Sequence, residues 1–196
     1  MKARPPRSHD TSPKERLLEA ADRLFYQEGV RAVGIDRVLA EADVAKASLY
    51  QHFGCKDTLV AAYVERRATS ARCQMVSFVE RFPIEERAVR VFDWVVEWAE
   101  SPGFRGCPLQ QVVSELSDST HPARLVASEQ REWVHTRFTE WVTQANVRPS
   151  DVSAVVGALL VLFDGAVAAT AQDGAQRARD ARWVASQVVT THLANR

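Results

Sequence analysis

The sequence predicts an all-α protein of about nine helices, an N-terminal three-helix unit containing a helix-turn-helix followed by a larger C-terminal helical domain. Three observations predict this. Apolar residues recur at three- and four-residue spacing, proline and glycine breaks separate those stretches, and no segment reads as a convincing strand, repeat or low-complexity tract.

The first helix opens at Ser12-Pro13-Lys14-Glu15, a capping box with proline at the first helical position. Ser12 can accept a backbone N–H and Glu15 can bond back to it. Leu17, Leu18, Ala21, Leu24 and Phe25 form its apolar face, and Gly29 supplies the left-handed residue that stops it. Two short helices follow at about 34–42 and 45–52, separated by a tight polar break at 41–44. Gly54 and Cys55 interrupt the chain before a longer helix from 56 to about 82, ended by Pro83. Helices at roughly 84–100, 108–117, 122–146, 150–172 and 175–194 are bounded by Ser101-Pro102-Gly103, by 118–122, by Arg148-Pro149-Ser150 and by Asp173-Gly174. All five tryptophans lie beyond Pro83, which implies a second core there. The expected units are a flexible basic N-terminus at 1–11, a helix-turn-helix domain at 12–56 and a helical domain at 57–196.

Composition narrows the classes. With 196 residues, 46% of them hydrophobic, the chain can bury a sizeable core. The richest apolar stretch, 152–171, is interrupted by Asp164, so no membrane role is expected. The basic start at 1–10 lacks an apolar segment behind it and reads as neither signal nor anchor; a cytoplasmic location is expected. Twenty-five basic and twenty-five acidic residues balance, which argues against non-specific coating of nucleic acid. Residues 1–56 carry ten basic against eight acidic groups, so steering by charge is modest and binding must come from placement of a few groups. Cys55, Cys73 and Cys107 are odd in number and widely spaced, which fits neither a disulfide framework nor a zinc site.

The segment from Gly34 to Phe53 has the outline of a DNA reader. In such a unit the second helix lies in the major groove while the first braces it. Ile35, Val38, Leu39 and Ala42 supply the bracing face, and Leu49 and Phe53 pack back against it. Lys46, Ala47, Ser48, Tyr50, Gln51 and His52 are left facing outward. A lysine and a phenol suit phosphate oxygens, whereas Gln51, Ala47 and Ser48 suit base edges and the thymine methyl. The expected partner is double-stranded DNA.

These residues give the chain a resemblance to the TetR-like transcriptional regulators over its whole length. The likeness rests on the capped first helix, on Leu49-Tyr50-Gln51-His52-Phe53, on Lys56-Asp57 with Leu59, and on Gly103-Phe104-Arg105-Gly106-Cys107-Pro108-Leu109, which looks like one branch of the family. The resemblance implies that 46–52 is the recognition helix, with Tyr50 and His52 at phosphates and Ala47, Ser48 and Gln51 near bases. It places Lys56 at a phosphate from the start of the fourth helix, where backbone N–H groups add a favourable dipole. Arg37 completes the basic groups of the reader. Three positions depart from the family pattern: Ala45 replaces a capping serine or threonine, Asp43 the usual turn glycine, and Gly34 a larger residue. Gly34 and Ala45 are expected beside the DNA backbone.

The resemblance further implies a C-terminal domain that encloses a small-molecule effector, and a homodimer that releases DNA when the effector binds. Phe78, Trp94, Trp98, Cys107, Trp133, Arg137 and Phe163 are the expected lining of an apolar, aromatic cavity. The helix at 150–172 is apolar almost all round and must be buried on more than one side. Val155, Leu159, Leu162 and Ala166 from it, with Trp183, Val184 and Val188 from the last helix, are the expected dimer interface, a four-helix arrangement about a twofold axis. A twofold dimer presents two recognition helices to half-sites about 34 Å or a multiple apart, so the operator should be near-palindromic. No metal, cofactor or catalytic set is expected: Cys107, Asp118 and His121 match no catalytic signature. The alternatives are a redox-sensing regulator using Cys73 or Cys107, and a ligand-independent regulator or protein-binding adaptor.

Overall fold

Nine α-helices and no strand make up residues 12–194, which are the residues the computed structural model describes; the segment 1–11, expected to be basic and flexible, lies outside them. The order is α1 (Pro13–Glu28), α2 (Ile35–Ala42), α3 (Lys46–Phe53), α4 (Lys56–Val79), a 3-10 turn (Ile84–Glu86), α5 (Arg87–Ala99), α6 (Pro108–Glu115), α7 (Pro122–Gln144), α8 (Val152–Asp173) and α9 (Gln176–Thr191). An isolated antiparallel bridge between Val147 and Leu193 ties the connection between α7 and α8 to the chain just beyond α9.

Local chemistry sets the helix ends. Ser12 Oγ accepts the Glu15 N–H at 3.3 Å, as the capping box requires, and the Glu15 carboxylate pairs with Arg66 of α4. Gly29 stops α1 with φ +90° and ψ 154°, a positive-φ conformation other than the expected left-handed helix. The positive φ favours glycine here, and a Cβ would stand 2.8 Å from the Glu115 carboxylate, which would have to swing aside. Asp43 takes the left-handed conformation (φ 55°, ψ 52°) that the turn between α2 and α3 needs. α4 stops at Val79 rather than 82, and the segment expected as 84–100 opens with a 3-10 turn before α5 begins at Arg87.

Ala45 sits at the N-cap of α3 with φ −66° and ψ 147°, and no side chain caps the first turn. That backbone is the one a serine cap uses. Ala45→Ser is expected to stabilise the protein by about 1 kcal/mol, read as a rise of about 2–4 °C in Tm by thermal denaturation.

Two apolar cores form. The first joins Leu17, Phe25, Val38 and Leu49 of α1 to α3 with Leu59, Val60, Tyr63 and Val64 of α4, Phe25 meeting Tyr63 edge-on at 5.7 Å. A boundary at residue 56 therefore falls short: the first turns of α4 belong to the reader. The second core gathers Phe92, Val95, Phe138, Trp141, Leu159 and Ala185 from α5, α7, α8 and α9, with Met75 and Val79 from the far end of α4. α4 thus runs from one core into the other, and Val112 of α6 and Ala123 of α7 close the reader from below.

Asp164 does not break the apolar run as expected. By length and composition α8 could cross a membrane, yet in this fold it packs against α5, α7 and α9, and Asp164 pairs with Arg131 at 2.7 Å. Only 28% of its most apolar stretch is buried within one protomer, which leaves an apolar face without cover.

Candidate nucleic-acid interface and effector cavity

α3 is anchored by Leu49 and Phe53, both buried in the first core, and this fixes which residues face out. Lys46, Ala47, Tyr50, Gln51 and His52 are exposed and Ser48 is half-buried. Tyr50 is 54% exposed, a large aromatic side chain left in water. Lys46 Nζ lies 3.6 Å from Asp36 Oδ1 across the turn, a solvated pair too weak to hold the lysine back from a phosphate. Gly34 and Ala45 cap α2 and α3 in extended conformations on the exposed side of both helices.

Two of the basic residues expected at the DNA, Arg37 and Lys56, have partners within the protomer. Arg37 is gripped by Glu28 through both guanidinium arms, the Nη2 to Oε1 bond being 2.7 Å, so its charge is already neutralised. Lys56 turns inward: Nζ donates to the Val30 carbonyl at 2.7 Å and lies 6.0 Å from the Phe25 ring centroid. It pins the α1 to α2 turn to α4. Both partners are distant in sequence from the residues they hold, which is why residue type alone does not show them.

Behind the reader lies a partly open cavity of about 540 Å³ lined by α4, α5, α6, α7 and α8. Trp94, Trp98, Cys107 and Phe163 line it as expected. Phe78, Trp133 and Arg137 do not. Phe78 is buried beside Phe82 at 5.6 Å between ring centroids, and Trp133 sits between the Arg72 and Arg137 guanidinium groups at 5.8 Å from each. Arg137 pairs with Glu140 at 3.0 Å. Reasoning from sequence missed the polar lining, including Arg67, Arg124, Arg131 and Asp164, because a lone arginine on an amphipathic helix looks like a solvated one.

Arg67 links the cavity to the reader. From the cavity wall it forks onto Asp22 of α1, Nε to Oδ1 and Nη2 to Oδ2 both at 2.7 Å, while its guanidinium lies 4.3 Å over the Tyr26 ring. The Tyr26 hydroxyl donates to the Gly106 carbonyl at 3.0 Å and accepts the Arg105 N–H at 2.8 Å, gripping the loop that leads into Cys107. Two further ties cross the same boundary. The Arg31 N–H donates to Glu115 Oε2 at 2.8 Å, and His121 Nε2 lies 3.4 Å from Asp57 Oδ1. His121 Nδ1 accepts the Ala123 N–H at 3.1 Å, so the ring proton sits on the nitrogen that faces Asp57.

Burial pushes the Cys107 thiol above its ordinary value, so at neutral pH it is not the thiolate that oxidants attack. Among the described residues, no three His, Cys, Asp or Glu side chains gather as a metal site.

Of the residues expected at a dimer interface, Val155, Leu159 and Ala166 are buried in the protomer's own core and have no surface to offer a second copy. The uncovered face of α8 instead runs along Ala154, Gly157, Val161, Gly165 and Ala168, with Leu162 half-buried at its edge. Val161 is 73% exposed, and on α9 Trp183 is 66% exposed, with Val184 exposed and Val188 half-buried beside it.

Comparison with known proteins agrees with this geometry. Residues 17–63 match the family described as bacterial regulatory proteins, tetR family. The HTH-type transcriptional regulator LmrA of Bacillus subtilis is 25% identical over 154 residues, covering 75% of this chain and 81% of its own. An HTH-type transcriptional repressor of Mycobacterium tuberculosis is 31% identical over 109 residues, 54% of this chain and 57% of its own. The crystal structure of a TetR-family transcriptional regulator from Streptomyces coelicolor superposes with a TM-score of 0.84 at 34% identity, covering 93% of this chain and 96% of that one. These relatives carry the names of regulators, not of enzymes. A DNA-binding helix-turn-helix on a helical second domain, matched over 93% of the chain by such a relative, means that this chain belongs to the TetR family of transcriptional regulators.

Proposed function

We propose that the protein is a homodimeric repressor that holds a near-palindromic operator through α3 and leaves it when a small, largely aromatic ligand fills the cavity. The observation that carries ligand control is the Arg67 fork, since one side chain is both cavity wall and grip on α1. A ligand releases DNA only as far as it prefers the arrangement that binds DNA poorly, and typical coupling of this kind is about 1–3 kcal/mol. Repression is supported by the Mycobacterium tuberculosis relative, which is named a repressor. The raised Cys107 thiol favours ligand control over thiol chemistry in the cavity. A cytoplasmic site of action goes with this reading.

Within α3, Tyr50 would contact phosphate and Gln51 a base edge, with Lys46 and His52 at neighbouring phosphates and Ala47 and Ser48 close to the bases. In gel-shift titrations on a panel of duplexes, Tyr50→Ala is expected to weaken binding to all of them about equally. Gln51→Ala is expected to cost about 1–3 kcal/mol on the preferred sequence and to relax preference at one position. Unchanged affinity and preference in both variants would remove α3 from the DNA.

A further inference from the structure

We infer that the cavity takes a planar aromatic acid, with Arg124 as the partner of its anionic group. This rests on the reading of the cavity as an effector site and goes beyond it by fixing the ligand's shape and charge.

Shape comes from the aromatic walls. Trp94 and Trp98, one turn apart on α5, stack with ring centroids 5.4 Å apart and planes 11° from parallel, and Phe104 braces Trp98 edge-on at 5.1 Å. Phe163 reaches the same cavity from α8, its ring held by Phe138 edge-on at 5.9 Å. Rings fixed in this way present rigid faces and edges, and the ligand that gains most from them is flat and aromatic.

Charge comes from an imbalance in the lining. Three arginines, Arg67, Arg124 and Arg131, face the cavity against one carboxylate, Asp164. Arg131 is matched by Asp164 at 2.7 Å, and Arg67 by Asp22 outside the cavity. Arg124 has only neutral acceptors: Nη1 donates to the Val113 carbonyl at 3.0 Å and to the Leu116 carbonyl at 2.6 Å, at the C-terminal end of α6. Among the described residues no carboxylate comes within ion-pair distance of it. Asp118 on the adjoining turn is exposed and bonds through Oδ1 to the backbone and hydroxyl of Thr120, and Arg124 acts on it through its field without forming an ion pair. The cavity therefore holds one cation more than its ion pairs neutralise. An aromatic anion entering it exchanges water for a guanidinium, whereas an aromatic cation loses water and gains no new opposite charge.

The test is a tryptophan-quenching titration of the full-length protein with three probes of one size: 2-naphthoate, the neutral 2-naphthamide and the cationic N-methylquinolinium. The acid is expected to bind about tenfold tighter than the other two, the effect of one charge-assisted hydrogen bond. Arg124→Gln is expected to bring the acid down to the amide's affinity and leave the amide unchanged, while Arg124→Lys keeps most of the preference. The comparison of probes on the unaltered protein stands even if the glutamine variant folds poorly. Equal binding of acid and amide, or tightest binding of the cation, overturns the inferred ligand class and leaves the effector cavity in place. Absence of quenching by all three overturns the effector reading itself, and the acid preference with it.

Discussion

Val161→Asp is expected to leave a folded monomer whose affinity for the operator is about 10²- to 10⁴-fold lower, the factor lost when two linked binding modules come apart. Val161 stands near the middle of the uncovered face of α8 and is 73% exposed in the isolated protomer, so an aspartate there disturbs none of the buried packing. In a twofold pair the substituted carboxylates would face an apolar surface and each other, without the partner that a desolvated charge requires. Small residues at Gly157 and Gly165 on either side let two such helices approach closely, and Trp183 and Val184 of α9 extend the apolar area. Sedimentation equilibrium reads the association and a gel shift reads the affinity. A variant that remains dimeric and binds DNA as tightly as before would move the pairing surface away from α8.

Asp22→Asn is expected to cost about 2 kcal/mol, the usual loss for a hydrogen bond to a charged group, and to lower Tm by about 4–8 °C. The fork joins side chains that are 29% and 22% exposed, so solvent screens it less than it would a surface pair. Without the carboxylate, the Arg67 guanidinium keeps the Tyr26 ring but loses its matched acceptor. The reader domain also loses its charged tie to the cavity wall. The ligand-dependent change in DNA affinity, about 5- to 150-fold in coupled systems of this kind, is expected to shrink towards none. Thermal denaturation measures the first effect, and operator titration with and without 2-naphthoate the second. A melting temperature equal to that of the unaltered protein would reduce the fork to a solvated ion pair of no consequence.

What could be read from the sequence was local. The Ser12 cap, the left-handed Asp43, the buried pair Leu49 and Phe53 and the outward set around Tyr50 each follow from neighbours a few residues away. The all-round apolar character of α8 told that it must be covered on more than one side. It cannot tell which side the protomer covers: Val155, Leu159 and Ala166, expected at the dimer interface, face the protomer's own core, and Val161 carries the exposed face instead. Arg37 and Lys56 have the right chemistry for phosphate, yet Glu28 and the Val30 carbonyl claim them through contacts only the folded chain makes. In the cavity the ring-bearing residues were half legible: Trp94, Trp98 and Phe163 line it while Phe78 and Trp133 do not. Arg67 and Arg124, the polar groups that give the cavity its link to α1 and its surplus charge, were invisible because their roles depend on partners 45 and 8 residues away.

Selection of bound duplexes from a random pool by the full-length protein tests most directly that two α3 helices, related by a twofold axis, read DNA together. An inverted repeat whose half-site centres lie about 34 Å or a multiple apart is the expected winner. Enrichment of a single unrepeated element, or of no sequence at all at low ionic strength, would contradict it.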